Sequence, residues 1–103
     1  MTEEEIWDWQ CKMHIWSCYL YEVEDQPALD DPSYDSLCQI LLRRYDQLPA
    51  WYRERVTKGD LTSGSGSAVA PTLTPDEITE ARWWRDVHIP AMTRAVAWID
   101  KYS

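Results

Sequence analysis

Three side chains that can bind a thiophilic metal recur in the first third of the chain. Cys11, His14 and Cys18 stand at spacings i, i+3 and i+7, which places them on one face of a helix. Thiolate and imidazole groups are ligands that zinc prefers, but a structural zinc site needs four of them. The sequence offers no evident fourth ligand. We therefore predict no metal site, and expect two small thiols and one histidine packed in a helix interface.

Two pairs of neighbouring carboxylates could act as general acid and base. They are Glu24–Asp25 and Asp30–Asp31. Solvated turn residues and a helix cap explain both pairs more simply, because aspartate is favoured at turns and at helix N-termini. No nucleophile elbow, zinc-protease motif, phosphate-binding loop or dinucleotide fingerprint is present. The sequence therefore predicts no catalytic residues and a chain that is not an enzyme.

Two further segments have both a functional and a structural interpretation. Trp83-Trp84, flanked by Arg82 and Arg85, has the composition of a protein-contact hot spot. Amphipathic packing, with one tryptophan buried and the other partly exposed, explains it equally well. The Ser/Gly run 63–67 could present backbone N–H groups to an anion, but a flexible linker is the simpler interpretation.

Helical periodicity indicates which elements position these residues. Apolar residues at steps of three and four predict a helix from Glu3 to about Glu24, covered on two sides; they are Ile6, Trp9, Met13, Trp16 and Leu20. A turn follows, and Asp31 as N-cap with Pro32 at the first helical position starts a second helix. Its predicted core residues are Leu37, Ile40, Leu41, Tyr45 and Leu48.

The second half of the chain is also predicted to be helical. A short helix from Ala50 to about Thr57 ends at Gly59, and residues 60–73 form a flexible loop. Thr74 and Glu77 form a capping box for a helix that reaches about Val87. Pro90 then restarts the chain, and a last helix spans 91–102 with Val96 and Ile99 inward. We expect one all-α domain over residues 1–103, with C-terminal helices in 74–102.

Charge is distributed unevenly along the chain. Residues 1–42 hold ten acids and one base, whereas the whole chain has a formal net charge of −8. Such an acidic third repels nucleic acid and anionic lipid and can attract a cationic protein groove. No apolar stretch is long enough to span a membrane. The odd number of cysteines, three, favours free thiols. We therefore expect a cytoplasmic protein with a protein partner, without direct nucleic-acid or membrane binding.

The stretch that joins the two N-terminal helices, residues 19–37, reads YLYEVEDQPALDDPSYDSL. It resembles the N-terminal Ia domain of bacterial NAD-dependent DNA ligases, in which a pattern Y-x-Y-H-V-x-D-x-P-x-I-x-D-x-x-Y-D-x-L lies in a helical hairpin. Leu29 replaces the isoleucine, and the matching positions are Tyr19, Tyr21, Val23, Asp25, Pro27, Asp31, Tyr34, Asp35 and Leu37. The resemblance covers roughly residues 5–50. Residues 55–66 are similar, more weakly, to small phage-encoded relatives of that domain.

This resemblance implies a ligand site. In the ligases the Ia domain covers the nicotinamide mononucleotide half of NAD during adenylation of the enzyme. By resemblance, Tyr21, Asp31, Tyr34 and Asp35 occupy positions that contact nicotinamide and ribose, and Glu22 adjoins them. A tyrosine face can stack on a pyridinium cation, and carboxylates can accept hydrogen bonds from ribose hydroxyls.

Two departures from the ligases change the expected function. Glu22 stands where the family has histidine, so a carboxylate would repel the nucleotide phosphate. We therefore expect no cofactor, with NAD or NMN as the alternative. Lys58-Gly59-Asp60-Leu61 matches three positions of the adenylation motif K-x-D-G, which we attribute to chance because the nucleotide-binding domain around that motif is missing. A chain of 103 residues is too short for ligase activity of its own.

The sequence thus favours a non-catalytic, phage-encoded interaction module that uses the hairpin to bind a protein partner or a nicotinamide-type ligand. One alternative is a host-directed inhibitor of the anti-CRISPR type, acting in the host cytoplasm on a nucleic-acid-binding complex. Its acidic face would imitate nucleic-acid phosphates with Glu22, Glu24, Asp25, Asp30, Asp31 and Asp35. The other alternative is an accessory subunit of a split NAD-dependent DNA ligase.

Overall fold

The computed structural model describes residues 2–92 of the protein, and within that range it is all-helical, without a strand. The predicted all-α fold is confirmed. The α-helices are α1 (Glu3–Glu22), α2 (Asp31–Arg43), α3 (Ala50–Arg53), α4 (Lys58–Ser63) and α5 (Pro75–Trp83). Short 3-10 turns cover Tyr45–Gln47 and Ala70–Thr72, and a π turn covers Trp84–His88.

Helix α1 is the central element of the fold. Thr2 caps its N-terminus by accepting a hydrogen bond from the backbone N–H of Glu5 at 3.2 Å. Its second half is buried on both sides, as predicted, and the buried residues include both cysteines of the predicted face. The helix ends at Glu22, two residues before the predicted end. Asp25 adopts a left-handed φ of 52°, and the N–H of Gln26 donates to the carbonyl of Leu20 at 2.9 Å.

The start of α2 differs from the prediction by one residue. The N-cap is Asp30, not Asp31, since the Asp30 carboxylate accepts the backbone N–H of Ser33 at 2.9 Å. Asp31 is the first helical residue, where its charge lies at the positive end of the helix dipole. Pro32 is consequently the second helical residue. Aspartate is favoured at the N-cap position of a helix. Because both candidates are aspartates, the sequence alone did not distinguish them.

The hydrophobic core forms where α2 and the segment after it pack on α1. Leu37, Leu41 and Leu48 are buried as predicted, whereas Ile40 and Tyr45 are only partly buried. Further core residues come from positions that helical periodicity had not assigned to the core. They include Cys38, Tyr52, Val56, Leu61, Val69 and Ala81.

The predicted flexible loop over 60–73 is wrong for much of its length. Thr57 and Asp60 form a reciprocal capping box that starts α4, with N···O distances of 3.1 and 2.9 Å. Gly59 therefore lies inside a helix and does not end one. The helix terminates instead at Gly64, whose φ of 73° is left-handed. Buried apolar side chains at Leu61 and Val69 hold this segment on the core.

Gly66 allows the segment after α4 to contact α1 directly. A Cβ at this position would lie 2.8 Å from the Cβ of Cys18 and 3.1 Å from its Cα. The first distance is shorter than Cβ atoms show in folded proteins, and the second is unusually tight. The glycine is therefore needed for close packing, and the Ser/Gly run is part of the folded structure.

The C-terminal helix confirms its predicted start and corrects its predicted end. Thr74 and Glu77 form the capping box. The chain does not restart at Pro90, because α5 continues through the π turn and residues 89–92 remain helical. A proline ring clashes with the carbonyl four residues earlier, and the widened turn immediately before Pro90 relieves that clash. Beyond residue 92 the predicted last helix, with Val96 and Ile99, lies outside the described residues.

Candidate functional site

A pocket of about 310 Å³ lies at the corner between α1 and α2. Its lining comes from the last turns of α1, from residues 27–29 of the connecting turn and from the first half of α2. Residues 63, 64 and 66 form a further wall after α4. The eight residues between the two helices bring the end of α1 next to the start of α2. The hairpin therefore produces a concave surface at its closed end.

All five ligand-site residues expected from the ligase resemblance line this pocket. Tyr21 and Glu22 belong to the last turn of α1, and Tyr21 is 58% exposed. Asp31, Tyr34 and Asp35 belong to the first turns of α2, at spacings that put them on one helical face. The structure thus brings together residues that are up to fourteen positions apart in the sequence.

Tyr34 joins three parts of the pocket. Its hydroxyl donates to the carbonyl oxygen of Gly64 at 3.1 Å and lies 3.7 Å from the sulfur of Cys18. The ring also stacks on His14, with centroids 5.8 Å apart. Burial and the neighbouring Cys18 raise the pKa of the Tyr34 phenol, so it stays protonated as a donor. Tyr34 therefore fixes the Gly64 wall against the floor of the pocket.

The wall formed by Ser63, Gly64 and Gly66 was missed by sequence reasoning. It contacts a tyrosine thirty residues away, and no periodicity links such distant positions. The glycines carried a partial signal, because Gly64 needs a left-handed φ and Gly66 permits close approach. Composition alone instead favoured a disordered linker.

Three polar side chains of the pocket lining, those of Ser17, Cys18 and Ser63, are not activated as nucleophiles. Burial raises the pKa of the Cys18 thiol to about 12, so it is uncharged at neutral pH. The hydroxyl of Ser17 donates to the carbonyl of Met13 at 2.7 Å, and that of Ser63 donates to the carbonyl of Asp60 at 3.3 Å. Each hydroxyl therefore stabilises its own helix through a hydrogen bond to a backbone carbonyl.

The pocket lining is negatively charged. Glu22, Asp31 and Asp35 contribute three carboxylates, and no lysine, arginine or histidine occurs among the described residues that line the cavity. All three carboxylate residues are exposed to solvent. An arrangement of this kind lowers the energy of a cation in the pocket and raises that of an anion.

One member of the predicted acidic face does not belong to a free surface. Glu24 binds Arg82 and Arg85 of the C-terminal helix, both at 2.8 Å, and its side chain is partly buried. The hydrogen bond from Arg85 is the main cause that holds the pKa of Glu24 below its usual range. The predicted face is thus reduced to five exposed carboxylates: Glu22, Asp25, Asp30, Asp31 and Asp35.

The Cys11, His14 and Cys18 face lies in the core, where His14 is 0% exposed. Its Nδ1 lies 2.8 Å from the hydroxyl of Tyr52, and its Nε2 lies 3.6 Å from the Cys18 sulfur. Burial lowers the pKa of His14 to about 4, so the ring is neutral. In residues 2–92, no group of three or more histidine, cysteine or acidic side chains could hold a metal ion.

The remaining candidate motifs have structural roles. Trp84 is 2% exposed and Trp83 is 44% exposed, as amphipathic packing predicts. Lys58 is the first residue of α4, exposed, with its amine 3.5 Å from Asp46. The amine is exposed to solvent and pairs with an exposed carboxylate. The likeness of Lys58-Gly59-Asp60 to an adenylation motif therefore has no structural counterpart here.

Comparison with known proteins adds no family assignment. No protein-family model matches the chain, and no curated protein or solved structure matches it. The ligase resemblance stays a prediction that rests on residues 19–37. Among the helices in the described part of the chain, none is long and apolar enough to cross a membrane.

Proposed function

We propose that this protein is a non-catalytic interaction module whose hairpin pocket binds a positively charged ring or side chain. One observation carries the proposal: two tyrosines and three carboxylates surround a single cavity of about 310 Å³. Ligand pockets in proteins begin at about this volume and combine apolar walls with a few oriented polar groups. Cys18, Ala28 and Leu29 supply the less polar part of the lining.

A nicotinamide-type ligand fits this chemistry. Its pyridinium ring is a planar cation that a tyrosine face can stack on, and its ribose hydroxyls can donate to carboxylates. Tyr21 is exposed and available for stacking, while Asp31 and Asp35 line the same cavity. An arginine side chain of a protein partner has the same planar, cationic character and would use the same groups.

The absence of catalysis is part of the proposal, and the state of the polar groups supports it. Cys18 is a protonated thiol, and the hydroxyls of Ser17 and Ser63 are bound to backbone carbonyls. A nucleophile needs an adjacent base or a lowered pKa. His14, a base by residue type, points its two ring nitrogens at Tyr52 and Cys18 inside the core.

Isothermal titration with nicotinamide riboside tests the proposal. Binding should weaken by about tenfold in Tyr21→Ala or Asp35→Asn, since each removes one ligand-facing group. Asp25→Asn is the matched control: it removes one charge from the same hairpin at a residue outside the pocket lining, and asparagine accepts the left-handed φ. Lack of binding at millimolar riboside, or equal affinity in all variants, would contradict the proposal.

A second candidate function uses the same end of the hairpin as a docking surface for a cationic protein. The five exposed carboxylates around the pocket favour it. An arginine-rich peptide is the probe, and its affinity should fall steeply as salt rises. Charge reversal in Glu22→Lys and Asp35→Lys should abolish binding. Reversal of the exposed Glu80 on α5 is the control and should leave affinity nearly unchanged. Binding indifferent to salt would argue against this surface.

A further inference from the structure

Carboxylates from two helices line the hairpin pocket. Its three carboxylates come from two different helices, with Glu22 at the end of α1 and Asp31 and Asp35 four residues apart on α2. A ligand inside the cavity therefore meets negative charge from both helices at once. Tyr21 and Tyr34 line the same cavity.

The usual source of phosphate affinity at such a corner is reduced here. The N-terminus of a helix binds phosphate through its free backbone N–H groups. At the start of α2, the Asp30 carboxylate accepts the N–H of Ser33 at 2.9 Å, and Pro32 has no N–H to offer. Asp31 adds a second carboxylate to the same turn. The carboxylates of Asp30 and Asp31 therefore balance the positive end of the helix dipole.

The two arginines that bind Glu24, two residues after the end of α1, are also engaged. Arg82 and Arg85 both bind Glu24, and Arg85 additionally binds Asp86 at 2.7 Å. Either arginine could neutralise a phosphate in the pocket only if these ion pairs broke. The negative charge of a phosphate in the pocket would thus not be balanced by contacts with the protein.

We propose that the hairpin pocket admits planar cations and excludes their phosphorylated forms. The inference rests on the proposed function and specifies its ligand class: a nicotinamide riboside, an N-alkylated pyridinium or a guanidinium, and not a mononucleotide or dinucleotide. The cavity and its tyrosines provide the binding, and the carboxylates provide the selectivity. A pocket of the same shape with neutral lining would bind both forms.

Two matched ligand pairs test the selectivity by isothermal titration. 1-Methylnicotinamide and nicotinamide differ in charge with nearly the same shape, and the cation should bind at least about tenfold more tightly. Nicotinamide riboside and nicotinamide mononucleotide differ by one phosphate, and the mononucleotide should bind at least about tenfold more weakly. Rising salt should reduce the difference in affinity within both ligand pairs, because salt screens the exposed carboxylates.

Two variants separate selectivity from binding. Glu22→Gln and Asp31→Asn each keep the shape of the side chain and remove a charge, so the affinity gap between riboside and mononucleotide should narrow. Glu80→Gln, on α5 and outside the lining, should leave the difference in affinity unchanged. Equal affinity for riboside and mononucleotide in the unmodified protein would overturn the selectivity alone. If none of the four compounds binds, both the selectivity and the proposed binding function are wrong.

Discussion

The hydroxyl of Tyr52 lies 2.8 Å from Nδ1 of His14, and neither side chain is exposed to solvent. The contact joins α3 to α1 across the core, while Nε2 of the same ring lies 3.6 Å from the sulfur of Cys18. Burial is the main reason that the pKa of His14 falls to about 4. A neutral histidine is thus part of the folded state.

Stability should decrease as the pH falls from about 6.5 to about 4. The unfolded chain takes up a proton on His14 near the ordinary pKa of 6.5, whereas the folded chain resists protonation until about 4. The difference corresponds to a loss of roughly 3 kcal/mol across this window. Urea unfolding at several pH values would measure it, and His14→Gln should flatten the curve. A wild-type stability that is constant between neutral and mildly acidic pH would show that His14 is not held neutral.

Gly66→Ala should destabilise the protein, because the added methyl group meets the Cβ of Cys18 at 2.8 Å. Overpacking of this kind costs about 1–3 kcal/mol. Gly59→Ala is the control, since its Cβ would meet its nearest neighbour, Thr57, at 3.6 Å and alanine favours the helix. Thermal unfolding should show a lower Tm for Gly66→Ala and an equal or higher Tm for Gly59→Ala. The reverse order would mean that residues 64–67 do not pack on α1.

Glu24→Gln should loosen the attachment of α5 to the hairpin. The change removes the charge that binds Arg82 and Arg85, and solvent screening limits the loss of stability to about 1 kcal/mol. Glu22→Gln removes an exposed charge two residues earlier and should have little effect on stability. Chemical denaturation of both variants gives the comparison. An equal loss of stability in the two variants would indicate a general effect of charge and not a specific effect of these ion pairs.

The three cysteines should react slowly with thiol reagents in the folded protein. Cys11, Cys18 and Cys38 are buried, and burial raises the pKa of the first two to about 12. Since the thiolate is the reactive form, native thiols should react much more slowly than those of the unfolded chain. A colorimetric thiol assay with and without denaturant would measure both rates. Rapid reaction of even one thiol under native conditions would contradict this placement.

Local signals predicted the hairpin well. Apolar residues at helical spacing located α1, and an aspartate followed by proline located the start of α2 to within one residue. The expected ligand-site residues are close in sequence to the connecting turn, so the two helices carry them to one corner. The capping box of Thr74 and Glu77 predicted the start of α5 for the same reason: both partners lie within one helical turn.

Residues 57–73 could not be predicted from composition. Glycines and serines there suggested a linker, yet Gly66 packs on Cys18 and Tyr34 binds Gly64 across thirty positions. The pairing of Glu24 with Arg82 and Arg85 spans about sixty positions, and it removed one carboxylate from the predicted acidic face. Contacts of this length depend on how the helices pack, which local patterns do not encode.

The π turn before Pro90 changes the helical phase of the described residues that follow it, up to Met92. In the turn, the N–H of Ile89 donates to the carbonyl of Trp84, five residues earlier, so one extra residue is accommodated and the helical phase shifts. Side chains on the two sides of the turn therefore do not share one continuous stripe. Pro90→Ala would remove the steric need for the wide turn, and a return to regular spacing would rotate Met92 to a different azimuth around the helix axis.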